Sequence, residues 1–250
     1  MHRRDLKAAP SDRRAGRPKA LGAPAASQEC ELVIFDCDGV LVDSEVLSSR
    51  GFRAVFEDIG IDIPAGILES SIGLKQADIV ARVAAATGRE IGPDAIARLW
   101  PRTRALFEAE LQPTPGLTAF LDRLDIPHCV ASSSHLERIR LSLGLTGLDR
   151  YFGDAIFSTH QVAHGKPAPD IFLHAAKAMA ADPARTVVVE DSLAGVRGAV
   201  AAGMRVIGFL GGQHIGRGHD AALREAGATL VTPRWSSVAR WLAGTRSISR

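Results

Sequence analysis

The chain has 250 residues, of which 46% are hydrophobic and 23% are charged, with a formal net charge of +2. This composition is typical of a soluble globular protein with one domain, or with one domain that carries an insertion. No apolar stretch approaches the roughly 18 residues of a membrane span, and no apolar segment follows the basic start as a secretory signal requires. We therefore expect a cytoplasmic protein that has no membrane partner.

The small net charge conceals a strongly basic start. Residues 1–28 contain seven Lys or Arg and two acids, which leaves a net charge of about −3 for residues 29–250. The start is rich in Ala, Pro and Arg without a hydrophobic period, and we predict a disordered basic tail. A targeting peptide and a basic binding arm are the alternatives. Because the rest of the chain has no basic excess, we expect no nucleic-acid partner.

The three cysteines lie in or beside predicted strands. Cys30, Cys37 and Cys129 have no CxxC or Cys/His spacing, so we predict reduced, structural thiols. Cys37 stands between Asp36 and Asp38, but neighbours on a strand alternate faces. Its thiol is therefore expected to point away from both carboxylates.

Short apolar runs recur along the chain, and most are followed by a helical pattern. The first run begins at Leu32, and further strands are predicted over 128–132, 154–158, 186–191, 205–209 and 228–231. Helices are predicted after caps at Ser134 and Ser192 and from near Pro169, and Gly203 ends the helix that follows Ser192. This alternation predicts an α/β fold with a doubly wound parallel sheet covered on both faces.

One connection is far longer than the others. Between Val42 and Pro113 about seventy residues have helical periodicity and no strand signal, whereas such connections normally take a few residues. We predict that residues 43–112 form an inserted α-helical cap domain and that residues 29–42 and 113–250 form the α/β core. An insertion directly after the first strand would lie over the end of that strand, where it could act as a lid.

The strongest functional signal is a pair of acids at the end of the first strand. The run LVIF is followed by Asp36, a cysteine, Asp38 and a glycine, and ligands bind at the carboxyl ends of parallel strands. Turn chemistry is the alternative interpretation. A second pair, Glu190 and Asp191, ends a later strand. By itself this second pair could merely cap the following helix.

Carboxylates that converge on one sheet edge repel one another by about 4 kcal/mol per close pair at an effective dielectric of 20. A hard cation relieves this repulsion. An all-oxygen site with few carboxylates suits Mg²⁺ that keeps some of its waters and binds a substrate phosphate. The two acid pairs therefore indicate a Mg²⁺ site.

Two further segments supply groups for an anion. Lys166 precedes two prolines on a stiff backbone, where its charge could neutralise a phosphate. Ser132 and Ser133 lead from a strand into a helix N-terminus, which is a natural anion site. Considered one at a time, Lys166 could be a solvated surface lysine and the serines could be a helix cap. Together with the acids they allow Asp36 to attack phosphorus and form an aspartyl-phosphate, while Asp38 protonates the leaving alcohol and later deprotonates water.

Between about residues 31 and 231 the sequence resembles the haloacid dehalogenase superfamily, and more closely its β-phosphoglucomutase-like sugar-phosphate phosphatase branch with a helical C1-type cap. The resemblance rests on four ordered motifs, FDCDGVLVDSE, ASSS, GKPAPDIF and VVVEDSLAGVRGAVAAGM. It implies a Rossmann-like core with Asp36 as nucleophile and Asp38 as acid and base. Ser132 and Lys166 would be phosphate ligands.

The same resemblance implies that Mg²⁺ is held by Asp36, the Asp38 carbonyl and Asp191, with Glu190 nearby. The second acid also makes a dehalogenase unexpected, because those enzymes have no leaving alcohol to protonate. The family pattern therefore favours phosphoryl chemistry at this site.

The chain departs from the β-phosphoglucomutase pattern in its cap. Those enzymes carry a histidine after the first motif and an arginine in a cap turn, where this chain has Ser48 and Gln76. Lys75 is a candidate for a replacement substrate contact. We therefore expect a monomeric, Mg²⁺-dependent phosphomonoesterase acting on a small phosphorylated metabolite, a sugar phosphate. A hexose-phosphate phosphomutase and a non-enzymatic binding protein on a retired catalytic fold are the alternatives.

The glycine-rich stretch over 208–214 has no dinucleotide-binding spacing. We predict a loop rather than a second phosphate site. His214 and His219 are expected to be solvated histidines.

Overall fold

The computed structural model describes residues 29–71 and 74–245, so the predicted basic tail lies outside the described residues. Within them, six strands form one parallel sheet in the order β3-β2-β1-β4-β5-β6. The strands are β1 (Leu32–Phe35), β2 (His128–Ser132), β3 (Ile156–Ser158), β4 (Thr186–Glu190), β5 (Arg205–Phe209) and β6 (Leu230–Thr232). The prediction of a doubly wound parallel sheet is confirmed.

Helices cover both faces of this sheet. The helices of the described residues are α1 (Glu45–Asp58), α2 (Gln76–Thr87), α3 (Pro93–Glu110), α4 (Leu117–Leu121), α5 (Leu136–Leu145), α6 (Asp149–Phe152), α7 (Asp170–Ala178), α8 (Leu193–Ala201), α9 (His219–Glu225) and α10 (Trp235–Gly244), of which the first three belong to the long connection between β1 and β2. In β1, Leu32 and Ile34 join the hydrophobic cluster that includes α7 and α8, while Val33 and Phe35 join the one that includes α4, α5 and α10. Successive strand residues face opposite sides, so a strand buried on both faces is apolar throughout.

The long connection between β1 and β2 is helical, as predicted. Helices α1, α2 and α3 enclose a hydrophobic cluster of their own, centred on Phe56, Val83 and Leu99. The chain enters and leaves this part side by side, because Val42 and Pro113 form an isolated antiparallel bridge. The division of the chain into a core and a cap domain stays a prediction.

Two predicted helix starts have different outcomes. The Ser192 side chain accepts a hydrogen bond from the Gly195 N–H at 3.0 Å and caps α8, as expected. The Ser134 cap is wrong, because the N-cap of α5 is His135, whose side chain makes no capping bond. The Ser134 hydroxyl instead donates to Asp38 at 2.7 Å.

The three cysteines lie in the interior of the fold. All three cysteines are buried and form no disulfide in the described residues, and burial raises the pKa of the Cys37 thiol well above its usual value. The expectation of inert, structural thiols is consistent with both observations. In the part of the chain that the structure describes, no helix is both long and apolar enough to cross a bilayer.

Candidate active site

The functional residues meet at the carboxyl edge of the sheet. β1 and β4 are neighbours, and the Asp36 N–H donates to the Val189 carbonyl at 3.0 Å, which continues their ladder by one residue. The acids that follow the two strands are thereby brought side by side. A cleft of about 600 Å³ opens between this edge and the inserted helices. All eight predicted site residues line it: Asp36, Asp38, Lys75, Ser132, Ser133, Lys166, Glu190 and Asp191.

Lys166 is the cationic centre of the site. Its Nζ lies 2.6 Å from Oδ1 of Asp36 and 2.6 Å from Oε1 of Glu190, and it donates to the Ala131 carbonyl at 3.0 Å. The side chain is only 3% exposed. Burial alone lowers the pKa of this ammonium group, but the two carboxylates outweigh burial and raise the pKa above its usual value. The lysine therefore stays charged, and all three of its donor hydrogens are used.

Glu190 serves this lysine and the helix behind it. Its carboxylate is fully buried and binds Lys166 through one oxygen, while the other accepts from the Ser192 N–H at 2.9 Å and the Ser192 hydroxyl at 3.0 Å. Gly195 of α8 makes room for it, since a Cβ there would lie 1.7 Å from Oε1. Glu190 thus positions Lys166 in this structure, and its role as a metal ligand stays a prediction.

Asp36 and Asp191 concentrate negative charge at the edge. Burial raises the pKa of Asp36 well above its usual value, against the opposing effect of Lys166. Burial, followed by the charge of Glu190, raises the pKa of Asp191. Oδ2 of Asp191 is buried and has no hydrogen-bond partner among the described residues. Two crowded carboxylates and an unpaired buried oxygen fit a site that is completed by a cation.

The donor set favours one kind of cation. Among the described residues no three Asp, Glu, His or Cys side chains come together as a metal-binding group. A cation here would depend on Asp36 and Asp191, a backbone carbonyl, and oxygens from water or substrate. Mg²⁺ commonly binds in this way, through one or two carboxylates and several retained waters.

Three donors hold the second acid, Asp38. Its Oδ1 accepts from the Ser44 hydroxyl at 2.6 Å and from Arg138 at 2.8 Å, and its Oδ2 accepts from Ser134 at 2.7 Å. Burial by itself raises the pKa of Asp38, but Arg138 and the hydroxyl hydrogen bonds outweigh burial and lower the pKa. The carboxylate is therefore ionised and fixed in direction.

Sequence reasoning missed Arg138. This residue lies in the first turn of α5, shortly after Ser134, and both side chains reach Asp38. Its guanidinium carbon also lies 5.1 Å from the ring centroid of Phe107 in α3, and a second hydrogen bond of 3.1 Å joins it to Ser48 in α1. No local pattern signals this role, because Ser134 lies outside α5 and Asp38 is 100 residues away in the chain. Arg138 thereby connects the acid with the inserted helices.

The loop after β2 supplies the serines. Ser132 is nearly fully buried, and its hydroxyl accepts from the Ser134 N–H at 3.1 Å. The carbonyl of Ser133 accepts from the Thr159 hydroxyl at 3.2 Å, and that of Ser134 accepts from Ser158 at 2.6 Å. These bonds tie the loop to the end of β3, so Ser132 and Ser133 face the cleft on a supported backbone.

The mouth of the cleft carries basic side chains. Lys75 begins α2 and reaches the backbone just before Lys166, since a Cβ on Gly165 would lie 3.0 Å from its Nζ. The rings of His135 and His160 stack at 3.6 Å. Burial, then the nearby His135 and Lys75, lower the pKa of His160. No carboxylate of the described residues lies within salt-bridge distance of Lys75.

His214 corrects an expectation. Its side chain is only 4% exposed, with Nε2 at 2.9 Å from Oδ2 of Asp191. Nε2 of the partly buried His219 lies 2.5 Å from the Asp191 carbonyl oxygen. Both histidines were expected to be solvated, but the loop that carries them folds back onto the acids. The glycines of this loop do not indicate in the sequence that the loop folds back onto the acids.

The comparisons with known proteins agree with this geometry. The model of the haloacid dehalogenase-like hydrolases matches residues 30–203. The chain belongs to this family. It is 34% identical over 186 residues to the 6-phosphogluconate phosphatase of Escherichia coli, which covers 74% of this chain and 84% of that protein. The resemblance found in the four motifs is confirmed.

Other similar proteins support the same assignment. Hexitol phosphatase B of Escherichia coli is 32% identical over 181 residues, covering 70% of this chain and 81% of that protein. A haloacid dehalogenase-like protein of unknown function from Agrobacterium tumefaciens has a solved structure with a TM-score of 0.77 and 33% identity, covering 87% of this chain and all of that one. This chain is thus an enzyme of the haloacid dehalogenase type whose curated relatives include phosphatases.

Proposed function

We propose that this protein is a Mg²⁺-dependent phosphomonoesterase that hydrolyses a small phosphorylated metabolite, a sugar phosphate. The observation that carries the proposal is the ion cluster of Asp36, Lys166 and Glu190, with both contacts at 2.6 Å. In this cluster the buried carboxylate that we propose as nucleophile lies against a fixed positive charge and beside a second acid. Phosphoryl transfer needs mainly such positioning and charge neutralisation.

In the first half of the proposed reaction, an Asp36 oxygen attacks phosphorus and forms an aspartyl-phosphate. The bond between phosphorus and the ester oxygen breaks, and Asp38 gives its proton to the leaving alkoxide. Asp38 must therefore take up a proton and leave some of its present partners when substrate binds, since its carboxylate is fully hydrogen-bonded here.

In the second half, a water attacks the phosphorus of the aspartyl-phosphate. Asp38 removes a proton from this water, and the bond between phosphorus and the Asp36 oxygen breaks. Inorganic phosphate is released and the Asp36 carboxylate is regenerated. Lys166, which must give up at least one of its three present acceptors to do so, and Ser132 hold the phosphoryl oxygens through both halves. Asp36, the Asp38 carbonyl and Asp191 would hold Mg²⁺, which supplies positive charge to the phosphoryl oxygens.

We propose that the inserted helices over 43–112 act as the cap of this site. They supply Ser48, Lys75, Gln76 and Trp100 to the cleft. Neither Ser48 nor Gln76 can replace the histidine and arginine of the β-phosphoglucomutase pattern as a cation. A cleft without those two groups favours hydrolysis over the return of phosphate to a bisphosphorylated intermediate.

The basic cleft mouth narrows the substrate class. The names of two relatives specify 6-phosphogluconate and hexitol phosphates, which differ in charge at the end far from the phosphate. Lys75 favours a substrate that carries a second anionic group at that end, because a carboxylate there would meet a lysine that has no acidic partner among the described residues. Ser133 would contribute backbone and hydroxyl donors to the same substrate.

The test is phosphate release from a panel of sugar phosphates and other phosphorylated metabolites, with Mg²⁺ and with EDTA. We expect release by the wild type with Mg²⁺ only, and none by Asp36→Asn. Asp62→Asn, an exposed change of the same charge outside the cleft, is the matched control and should keep full activity. Consumption of a sugar 1-phosphate without phosphate release would instead identify a mutase, and full activity of Asp36→Asn would refute the mechanism.

A further inference from the structure

The segment from the end of β5 to the first residue of α9 contacts acidic residues beside the carboxyl edge of the sheet at three points. The Gln213 N–H donates to Oδ1 of Asp43 at 3.1 Å. Nε2 of His214 lies 2.9 Å from Oδ2 of Asp191, and Nε2 of His219 lies 2.5 Å from the Asp191 carbonyl oxygen. Two of these points are on one residue, Asp191. The proposed metal ligand is therefore held from its backbone and approached at its carboxylate by the same loop.

The contact between His214 and Asp191 is incomplete. The 2.9 Å pair is not aligned as a hydrogen bond, and Oδ2 of Asp191 and both ring nitrogens of His214 are buried without a hydrogen-bond partner among the described residues. Buried polar atoms are nearly always paired with protein or ordered water. Oδ2 of Asp191 and Nε2 of His214 lie together, and a hydrated cation beside them would give both a partner.

Glycines make this approach possible. A Cβ on Gly39 would lie 1.9 Å from Oδ2 of Asp191 and 2.7 Å from Cε1 of His214, and a Cβ on Gly212 would lie 2.6 Å from Nδ1 of His214. The imidazole edge and the carboxylate thus occupy space that side chains at these two positions would close. Two separate parts of the chain leave room for one contact.

We propose that His214 is a positioning residue in the second coordination sphere of the metal, where it orients the Asp191 carboxylate and holds a metal-bound water. The proposal rests on the cation of the proposed function. Mg²⁺ prefers oxygen ligands, which places the imidazole beside the coordination shell rather than in it. Changes in such outer partners typically cost 10–100-fold in metal affinity or activity.

The test is calorimetric titration of the whole protein with Mg²⁺, together with the Mg²⁺-induced rise in unfolding temperature. We expect His214→Asn to bind Mg²⁺ about 10–100-fold more weakly. His214→Gln should stay within about threefold of the wild type, because the amide nitrogen of Gln reaches the place of Nε2 whereas that of Asn does not. His174→Asn, a change on α7 outside the cleft, should bind as the wild type does.

A role limited to loop packing predicts a different result. His214→Asn would then unfold at a lower temperature in EDTA and bind Mg²⁺ with unchanged affinity, and this result would overturn the proposal while leaving the phosphatase intact. An equal loss in both His214→Asn and His214→Gln would also overturn it, because the donor at Nε2 would not matter. Absence of Mg²⁺ binding by the wild type would refute the metal itself. Phosphate release by His214→Asn should approach the wild-type rate at saturating Mg²⁺, which is the signature of weakened metal binding.

Discussion

Nζ of Lys166 lies 2.6 Å from Oδ1 of Asp36, the carboxylate that we propose as nucleophile. Both side chains are almost completely buried, and the second contact of the lysine, to Glu190, is equally short. The lysine thus opposes the effect of burial on the pKa of Asp36. One cation thus favours the ionised form of the proposed nucleophile and lies next to the position that a bound phosphate would take.

Replacing Lys166 tests this double role. Lys166→Met leaves two buried carboxylates without their cation, which should lower the free energy of unfolding by about 3–5 kcal/mol. It should also reduce kcat/KM at least about 100-fold, as expected for loss of a group that stabilises transition-state charge. Urea unfolding and phosphate release measure the two effects. Lys177→Met, at the exposed end of α7, should change neither, and retained activity in Lys166→Met would contradict the assigned role.

Replacing Asp191 should change the unfolding temperature in opposite directions with and without metal. The pKa of Asp191 is raised in the folded protein, so folding favours the protonated form of this carboxyl group. Its contribution to stability is fully present below about pH 4, the pKa in the unfolded chain. This contribution is lost as the pH rises through the pKa in the folded protein. In EDTA at pH 8, Asp191→Asn should therefore unfold at a higher temperature than the wild type. With Mg²⁺ the order should reverse, because only the wild type gains from binding.

Scanning calorimetry at pH 8 measures both conditions. Asp220→Asn, on the exposed part of α9, is the matched control and should follow the wild type in each. An Asp191→Asn protein that is less stable than the wild type in EDTA would show that the buried carboxylate does not destabilise the folded protein.

Lys75 should discriminate between substrates by their charge. The compounds 6-phosphogluconate and glucitol 6-phosphate differ only at C1, which is a carboxylate in the first and a hydroxymethyl group in the second. We expect Lys75→Met to lower kcat/KM about tenfold for the acid, equivalent to about 1.4 kcal/mol. For the alcohol we expect a change of less than about twofold. Arg89→Met, another exposed change among the inserted helices, serves as control, and equal losses on both substrates would rule out recognition of the carboxylate.

Arg138 should stabilise the fold through Asp38 in a pH-dependent way. The lowered pKa of Asp38 means that the stabilisation is present above about pH 4 and is lost as the pH falls through the folded value. Arg138→Ala should lower the free energy of unfolding by about 1.5–3 kcal/mol at pH 7, and this difference should narrow below about pH 4. Arg140→Ala, whose exposed side chain pairs with the exposed Asp154, should cost little at any pH. A difference that is constant with pH would indicate lost packing alone.

The sheet and most of the site were predictable because they depend on local patterns. Strand runs and the acids that follow them are read directly from the sequence, and a parallel sheet brings strand ends together. Both ends of β2 and β5 agree with their predicted bounds. Lys166 was predictable for a similar reason, since prolines fix the backbone next to it.

The rest depends on contacts between distant segments. The sequence favours Ser134 as a helix cap because that preference depends only on neighbouring residues. Its hydroxyl instead donates to Asp38, which is 96 residues away in the chain. His214 is a comparable case, because its burial results from a loop that returns to Asp191 and from two glycines that leave room for the ring. No periodicity or spacing in the loop itself encodes these distances.

The bridge between Val42 and Pro113 has a consequence for the history of the enzyme. The Asp43 N–H donates to the Gln112 carbonyl and the Thr114 N–H to the Leu41 carbonyl, both at 3.0 Å, so the two junctions are closed by backbone bonds that do not depend on side chains. The helices beyond Ser44, which itself donates to Asp38, can be lengthened, shortened or exchanged while these backbone bonds stay in place. A lineage can therefore acquire new substrates by a different set of helices on the same two points, provided that the support of Asp38 is kept.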